Sequence, residues 1–429
     1  MMHETGLNEG RLSKTLRWAV VVACALLLGA LIGFCIMLVF DAAYWVINGV
    51  WIAGWSAVGT QLFPLIACTT AGLLLALIAS KYGKPIRPIE AAQAIESVAE
   101  KDSANNGYSA NSPHPINVQK RPLLIRLADF FLPFAGGGPV GVAMGLIGFI
   151  TSGSKWIKCR LITLCSSIDL MNRDVEPTKR QKIALYLPVI LGSILGLSIV
   201  VEFFGVGMII PRVDGSSFSL EALFWAALLA LVGWALGVTY LLFSKLARSL
   251  WVKAGRKQRL LPLTCGIVLG FSMTVMPHAG LPGSDAYSYQ LLGEWTQIDP
   301  ALLVVTAIVR VVLIAFLLNM GWSGGPFLPL IYCGICLGLG VAGASGLESG
   351  LCVAAIVAGI LVSFSGQPFM GIAALICCPP ESIPVIIVAS AIAALIPKPR
   401  GIKGDFSGGF GRKKSANSAR KEPDGVRIG

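Results

Sequence analysis

The sequence has few charged residues: Lys, Arg, Asp and Glu together make up 13% of its 429 residues. Soluble proteins carry about a quarter, so this composition excludes an ordinary water-exposed domain. Histidine is scarcer still, and the three histidines are too scattered to predict a metal cluster. We also find no nucleophile–base pair and no phosphate-binding loop. We therefore expect no enzyme activity and no cofactor.

Apolar sequence takes the place of charge. Hydrophobic residues make up 55% of the chain, and apolar runs near the ~20 residues needed to cross a bilayer recur along it. The clear ones are 18–40, 63–80, 183–201, 222–243, 260–276, 301–318, 330–346 and 351–378. The sequence therefore predicts an all-α polytopic membrane protein.

Basic residues are concentrated at the two ends of the chain. The net charge is +12, and half of it falls after residue 397, where nine basic residues face three acidic ones. By the positive-inside rule we expect both termini in the cytoplasm and the protein in the cell membrane. We divide the chain into a cytoplasmic arm (1–17), a membrane body (18–397) and a basic tail (398–429) that we expect to be disordered. For this tail, proximity to anionic lipid heads is favoured over nucleic-acid binding.

Glycine and proline interrupt several of the apolar runs. Two examples are FLPFAGGGPVGVAMGLIGFI at 131–150 and GWSGGPFLPL at 321–330, whose Gly-Gly-Pro tripeptides lie about half a membrane body apart. Non-helical backbone at membrane depth is tolerated only where it is buried in protein or lines a wet cavity. Broken helices at matching places in two halves indicate a transporter binding site.

A glycine–proline helix start has the chemistry of an anion site. The first N–H groups of a helix have no partner inside it, and the helix dipole there favours negative charge. Because Pro326 and Pro329 have no N–H, the donors between them are Phe327 and Leu328 alone. The start at Gly137 and Gly138 is expected to act likewise. The alternative is that these residues mark ordinary kinks and close helix packing, and both interpretations stay open at this point.

A third candidate start is YGKPIRPIEAAQAI at 82–95. Lys84 stands directly before the predicted helix, where its charge would attract an anion. The alternative is that Lys84 and Arg87 extend to a cytoplasmic membrane interface.

Three motifs, taken together with their order along the chain, resemble those of the CLC family of chloride channels and chloride/proton antiporters. GGPFLP (324–329) resembles the family's GxFxP motif, AGGGPVG (135–141) lies where the family has G(K/R)EGP, and GKPIRPIE (83–90) lies where it has GSGIPxIE. The resemblance implies a homodimer with one anion pathway per subunit, built from two inverted-topology halves with broken and re-entrant helices. The implied anion-binding residues are Lys84, Gly137, Gly138, Gly325, Phe327 and Leu328.

Several positions depart from the family pattern. The gating glutamate, which in the family plugs the pathway and carries the proton, falls on Gly137, and the serine that contacts the anion falls on Lys84. Pro326 has no amide to donate, and CCPPESIP (377–384) lies where a tyrosine is expected. We therefore expect transport of chloride or a similar small anion that is channel-like or weakly proton-coupled. The alternatives are a proton-coupled antiporter using another acid such as Glu202, or a non-transporting membrane protein.

Three further ionisable residues lie in or beside apolar sequence. Arg310 is costly at membrane depth unless it is paired or hydrated, and we expect it to have a structural role at the dimer interface or in helix packing. Asp285 follows HAGLPGS and is expected to cap a helix. Glu202 is expected at a membrane interface.

Overall fold

The computed structural model describes residues 14–59, 61–83, 122–141, 157, 160–167, 178–204, 211–216, 219–283 and 285–399. Lys84 lies outside these residues, as do most of the predicted N-terminal arm and the tail from residue 400 onward. Within the described part the chain is helical, and its one β-type contact is an isolated antiparallel bridge between Gly141 and Gly325.

The longer helices follow the apolar runs. Seven helices of the described part are long and apolar enough to cross a membrane, which confirms a multi-pass protein. They are α1 (Lys14–Val58), α2 (Leu62–Tyr82), α4 (Lys179–Phe204), α5 (Leu220–Lys253), α6 (Leu261–Val275), α8 (Pro300–Asn319) and α9 (Phe327–Ser345). Helix α6 reaches this length together with the 3-10 turn Gly255–Leu260 that precedes it. Shorter helices are α3 (Leu123–Ala135), α7 (Ala286–Gly293), α10 (Ser349–Ser365) and α11 (Ile383–Leu395).

Local sequence explains where several helices begin and end. Asp299 caps α8 by accepting a hydrogen bond from the Ala301 N–H at 2.9 Å, and Pro300 opens that helix, where a missing N–H costs nothing. Gly346 and Gly366 end α9 and α10 in the left-handed conformation, with φ of 74° and 79°. Glycine adopts this conformation without a steric penalty. The apolar run 351–378 is therefore divided at Gly366 instead of forming one span.

The first helix is longer than its apolar run predicts. The run at 18–40 continues as helix to Val58, because Asp41 and Asn48 do not break the helix. A helix of this length rises about 1.5 Å per residue, so it is longer than the ~30 Å hydrocarbon core of a bilayer. Its last turns consequently extend toward the loops that carry the candidate site described below.

Helix α10 forms the centre of the protein. Every residue from Gly350 to Ser365 is buried, as expected for a helix that is apolar all round. It packs between α5, α9 and α11. At the α5 contact a Cβ on Gly233 would overlap the backbone of Ile356, and one on Gly359 would lie 2.6 Å from the Ala230 carbonyl oxygen. Small residues thus let the backbones of membrane helices approach closely.

Candidate functional site

The two glycine–proline segments meet inside the protein. The Gly141 N–H donates to the Gly325 carbonyl at 2.6 Å, and the Gly325 N–H donates to the Gly141 carbonyl at 3.1 Å. The backbone is buried on both sides of this bridge, from Gly136 to Gly141 and from Gly324 to Pro326. Two segments half a membrane body apart in sequence therefore form one crossing of loops.

Three of the predicted anion-binding residues have already paired their N–H groups. The Gly137 N–H donates to the Phe134 carbonyl at 2.9 Å, and the Gly138 N–H donates to the Pro133 carbonyl at 2.8 Å. The Gly325 N–H is used in the bridge. These glycines therefore shape the crossing with their backbone, and contact between them and an anion stays a prediction.

Phe327 and Leu328 retain free donors. Both lie in the first turn of α9, both are half-buried, and the first hydrogen bond of that helix runs from the Leu330 N–H to the Pro326 carbonyl at 2.9 Å. No described residue accepts a hydrogen bond from the Phe327 or Leu328 N–H. Pro326 precedes the helix without a side-chain cap. The structure thus leaves two adjacent N–H groups available beside the loop crossing.

The space that a side chain at Gly137 would occupy is filled by an aromatic side chain from α1. Gly137 has a φ of +72°, and a Cβ built there would lie 2.8 Å from Cη2 of Trp51 and closer still to Cζ2. The Trp51 side chain is 2% exposed, and its Nε1 donates to the Ala135 carbonyl at 3.2 Å. Sequence reasoning missed Trp51 because no motif surrounds it and its neighbour at 137 is far away in the chain.

Arg310 holds the neighbouring loop in place. Its guanidinium, fully buried in α8, donates to the carbonyls of His278 at 2.8 Å and Leu281 at 2.7 Å, and to that of Gly280. It also lies 4.2 Å from the ring centroid of Tyr332. These contacts supply the partners that a buried cation requires and confirm the predicted role in packing.

The loop held by Arg310 reaches the glycine crossing. The Leu281 N–H donates to the Gly137 carbonyl at 2.7 Å. Because the Leu281 carbonyl accepts from Arg310, Leu281 links Arg310 to the Gly137 backbone by two hydrogen bonds. Leu281 has a φ of 64° and is the one non-glycine residue of the described part with positive φ. Such a conformation persists where the surroundings fix it, and here both of its backbone polar groups are fixed.

A cavity of about 270 Å³ opens beside Trp51. One wall comes from the end of α1, with Ile47, Asn48 and Trp51, and the opposite wall includes Leu281 and Asp285. Polar groups therefore face part of an otherwise apolar space, as in other small-ligand sites.

Asp285 caps α7, as the sequence predicts. Its Oδ1 accepts a hydrogen bond from the Ser288 N–H at 2.8 Å. Its Oδ2 accepts from the Ser288 hydroxyl at 2.8 Å and from the Gly283 N–H at 3.1 Å. These three hydrogen bonds supply the partners that a buried carboxyl group requires.

Two buried acids were also missed from the sequence. Asp41 in α1 and Asp129 in α3 are 8% and 7% exposed, and Oδ1 of Asp41 has no hydrogen-bond partner among the described residues. A single acid within the apolar stretches VFDAAYW and LADFFL was the available signal, because such residues inside membrane helices are rare and often functional. Glu202, by contrast, is exposed at the end of α4.

Comparison with solved structures places this fold among known transporters. A CLC-type fluoride/proton antiporter aligns with a TM-score of 0.59 and 14% identity, covering 91% of this chain and 97% of that one. A slow cyanobacterial Cl⁻/H⁺ antiporter aligns with a TM-score of 0.64 and 15% identity, covering 91% of this chain and 96% of that one. A eukaryotic CLC transporter aligns with a TM-score of 0.56 and 14% identity, covering 88% of this chain and 72% of that one. At these identities the likeness shows the fold, and it confirms the predicted architecture of inverted halves with broken helices.

The family follows from a separate comparison. No curated protein matches this chain. The family model described as "Voltage gated chloride channel" matches residues 176–398, which is more than half of the sequence. This protein therefore belongs to the voltage-gated chloride channel family, the CLC family that its glycine–proline motifs resemble.

Proposed function

We propose that this protein carries chloride or a similar small anion across the membrane past the first turn of α9, in a channel-like or weakly proton-coupled manner. Membership of the family supports anion transport, and no enzyme activity is proposed. The observation that carries the proposal is the pair of N–H groups at Phe327 and Leu328, beside the Gly141–Gly325 bridge, that have no acceptor among the described residues.

The strength of these two donors suits transport better than tight binding. A hydrogen bond to a charged group contributes about 1.5–3 kcal/mol net, so two amides supply roughly 3–6 kcal/mol. Removing a small ion fully from water costs tens of kcal/mol, so the anion must keep other partners or part of its water. Conduction requires a site that an ion can both enter and leave, and a modest pair of donors meets both conditions.

Weak proton coupling is inferred from the absence of an acid at position 137. A glycine carries no proton acceptor, and the space its side chain would occupy is taken by Trp51. A proton would therefore need another acid on its route.

Flux measurements in proteoliposomes test this proposal. Vesicles loaded with chloride and containing the purified protein are expected to release chloride, while external pH shows no stoichiometric proton movement. Stoichiometric proton exchange would overturn the channel-like interpretation. Repeating the measurement with fluoride and nitrate would define selectivity.

Backbone substitution tests the two donors directly. Replacing Phe327 by its α-hydroxy acid exchanges the N–H for an ester oxygen, and we expect chloride flux to fall about tenfold, which corresponds to about 1.4 kcal/mol. The matched control is the same exchange at Leu330, whose N–H is already bonded to Pro326. Equal flux in the two ester variants would show that the Phe327 amide does not contact the anion.

A second candidate function is proton-coupled antiport through a displaced acid. Asp41 is buried, and its Oδ1 has no hydrogen-bond partner in the described part of the chain. Both observations favour Asp41 over the exposed Glu202. Asp41→Asn would then abolish proton flux and spare chloride flux, with Glu202→Gln as the exposed control. Proton flux absent from the unmodified protein would remove this candidate, and absence of any anion flux would favour a non-transporting protein.

The assembly and orientation belong to the same proposal. We propose a homodimer in the cell membrane with both termini in the cytoplasm and no nucleic-acid partner. Light scattering in detergent measures the oligomeric state, and cysteine labelling of each terminus in intact cells measures the orientation. Labelling of either terminus from outside would overturn the proposed topology.

A further inference from the structure

Trp51 is part of an aromatic cluster pressed against the Gly137 backbone. Its ring lies 5.4 Å from that of Trp55 and 5.2 Å from that of Phe63, both in edge-to-face geometry. A side chain larger than hydrogen at Gly137 would overlap the benzene part of the Trp51 indole. Among the described residues, a single polar contact holds this ring, the hydrogen bond from Nε1 to the Ala135 carbonyl.

Trp51 also lines a cavity. This cavity of about 270 Å³ is also lined by Leu281, whose N–H is bonded to the Gly137 carbonyl. Trp51 and Leu281 therefore each contact both this cavity and the backbone at Gly137. At about 30 Å³ per water molecule, the cavity has room for an anion with several waters.

We infer that Trp51 is the gate of the anion route: its indole closes the passage from the α1 cavity to the loop crossing at Gly137. This inference rests on the proposed function. It assigns to a tryptophan of the first helix the space that no side chain at position 137 can occupy. Opening requires the ring to leave the Ala135 carbonyl, and the cavity beside it provides space for that movement.

Trimming the ring at position 51 tests the gate. Trp51→Ala removes it, and Trp51→Phe removes the atoms Cζ2 and Cη2 that lie nearest Gly137. Chloride flux from proteoliposomes is expected to rise about tenfold in Trp51→Ala and by a smaller factor in Trp51→Phe. The matched control is Trp45→Ala on the same helix, whose side chain is 67% exposed, and its flux should equal that of the unmodified protein.

The outcomes separate the gate from the proposed function. Flux that appears in Trp51→Ala, even where the unmodified protein is silent, supports both. Equal flux in the unmodified protein, Trp51→Ala and Trp51→Phe overturns the gate and leaves anion transport standing. Absence of chloride flux from the unmodified protein and from both variants overturns transport and gate together. Where Trp51→Ala does not fold, Trp51→Phe decides by the same comparison.

A stability measurement checks the contact independently of flux. Gly137→Ala is expected to lower the melting temperature in the Trp51 protein, because the new methyl group overlaps the indole. In the Trp51→Phe background the same substitution should lower it by a smaller amount. An equal loss in both backgrounds would show that Trp51 does not occupy the space at Gly137, which would overturn the gate.

Discussion

Replacing Arg310 by methionine should destabilise the protein and displace the loop that reaches Gly137. The side chain is fully buried and donates to the carbonyls of His278, Gly280 and Leu281. Methionine is similarly long and apolar, so it fills much of the space and donates nothing. The variant therefore isolates the hydrogen bonds and the charge from simple loss of volume.

The expected magnitude follows from the contacts that are lost. Each buried carbonyl left without a donor costs about 1–3 kcal/mol, and loss of the cation above the Tyr332 ring costs about 0.5–2 kcal/mol. Relief from burying a charge offsets part of this, so we expect a net loss of about 3–5 kcal/mol, the range found when a buried ionic interaction is broken. Without the Arg310 hydrogen bond, Leu281 should relax from its positive φ, and the hydrogen bond from its N–H to the Gly137 carbonyl should weaken.

Thermal unfolding in detergent and chloride flux in proteoliposomes provide the measurements. We expect the Arg310→Met melting temperature to fall by on the order of 5 °C and chloride flux to fall with it. Arg256→Met is the control, because Arg256 is exposed in the turn between α5 and α6 and surface substitutions usually change stability by less than about 0.5 kcal/mol. If the two variants had the same melting temperature and the same chloride flux, the role given to Arg310 would be refuted.

Three further substitutions test other contacts. A Cβ on Gly141 would lie 2.9 Å from the Gly325 carbonyl oxygen, so Gly141→Ala should cost about 1–3 kcal/mol by overpacking and reduce chloride flux, whereas Gly49→Ala, which meets open space, should do neither. Asp285→Ala should lower thermal stability by about 1–2 kcal/mol through loss of the α7 cap, and Asp285→Asn should retain most of it; equal melting of the two would argue against the cap. Tyr332→Phe should not lower the melting temperature because the Tyr332 hydroxyl has no partner among the described residues, whereas Tyr332→Leu should cost more than the about 0.5–2 kcal/mol of the lost cation–π contact, since it also leaves a cavity.

The fold class could be predicted from sequence because a bilayer imposes simple local conditions. Length and apolarity together indicate a spanning helix, and the runs at 63–80 and 301–318 correspond to α2 and α8. The boundaries were less predictable, because a helix continues through isolated polar residues when its neighbours pack well. Asp41 in the middle of α1 is the clearest case.

The candidate site was predicted in part, and the difference has a physical cause. That Phe327 and Leu328 alone could donate between two prolines is a property of the local sequence, since proline has no N–H. The amides of Gly137 and Gly138 are also paired locally, because their acceptors Phe134 and Pro133 lie three and five residues earlier, at the end of α3. The pairing of Gly325 with Gly141 joins distant parts of the chain, and the sequence alone does not predict it.

By itself, then, the sequence determined that this is a multi-pass helical protein with two glycine–proline segments and no acid at position 137. Hydrophobic length and the chemistry of proline and glycine act over a few residues, so a linear reading detects them. Only the tertiary structure decided that these two segments form one crossing, that Arg310 holds the loop bonded to Gly137, and that Trp51 fills the space beside it. Those contacts join residues far apart in the chain, and they exist only after the helices have packed.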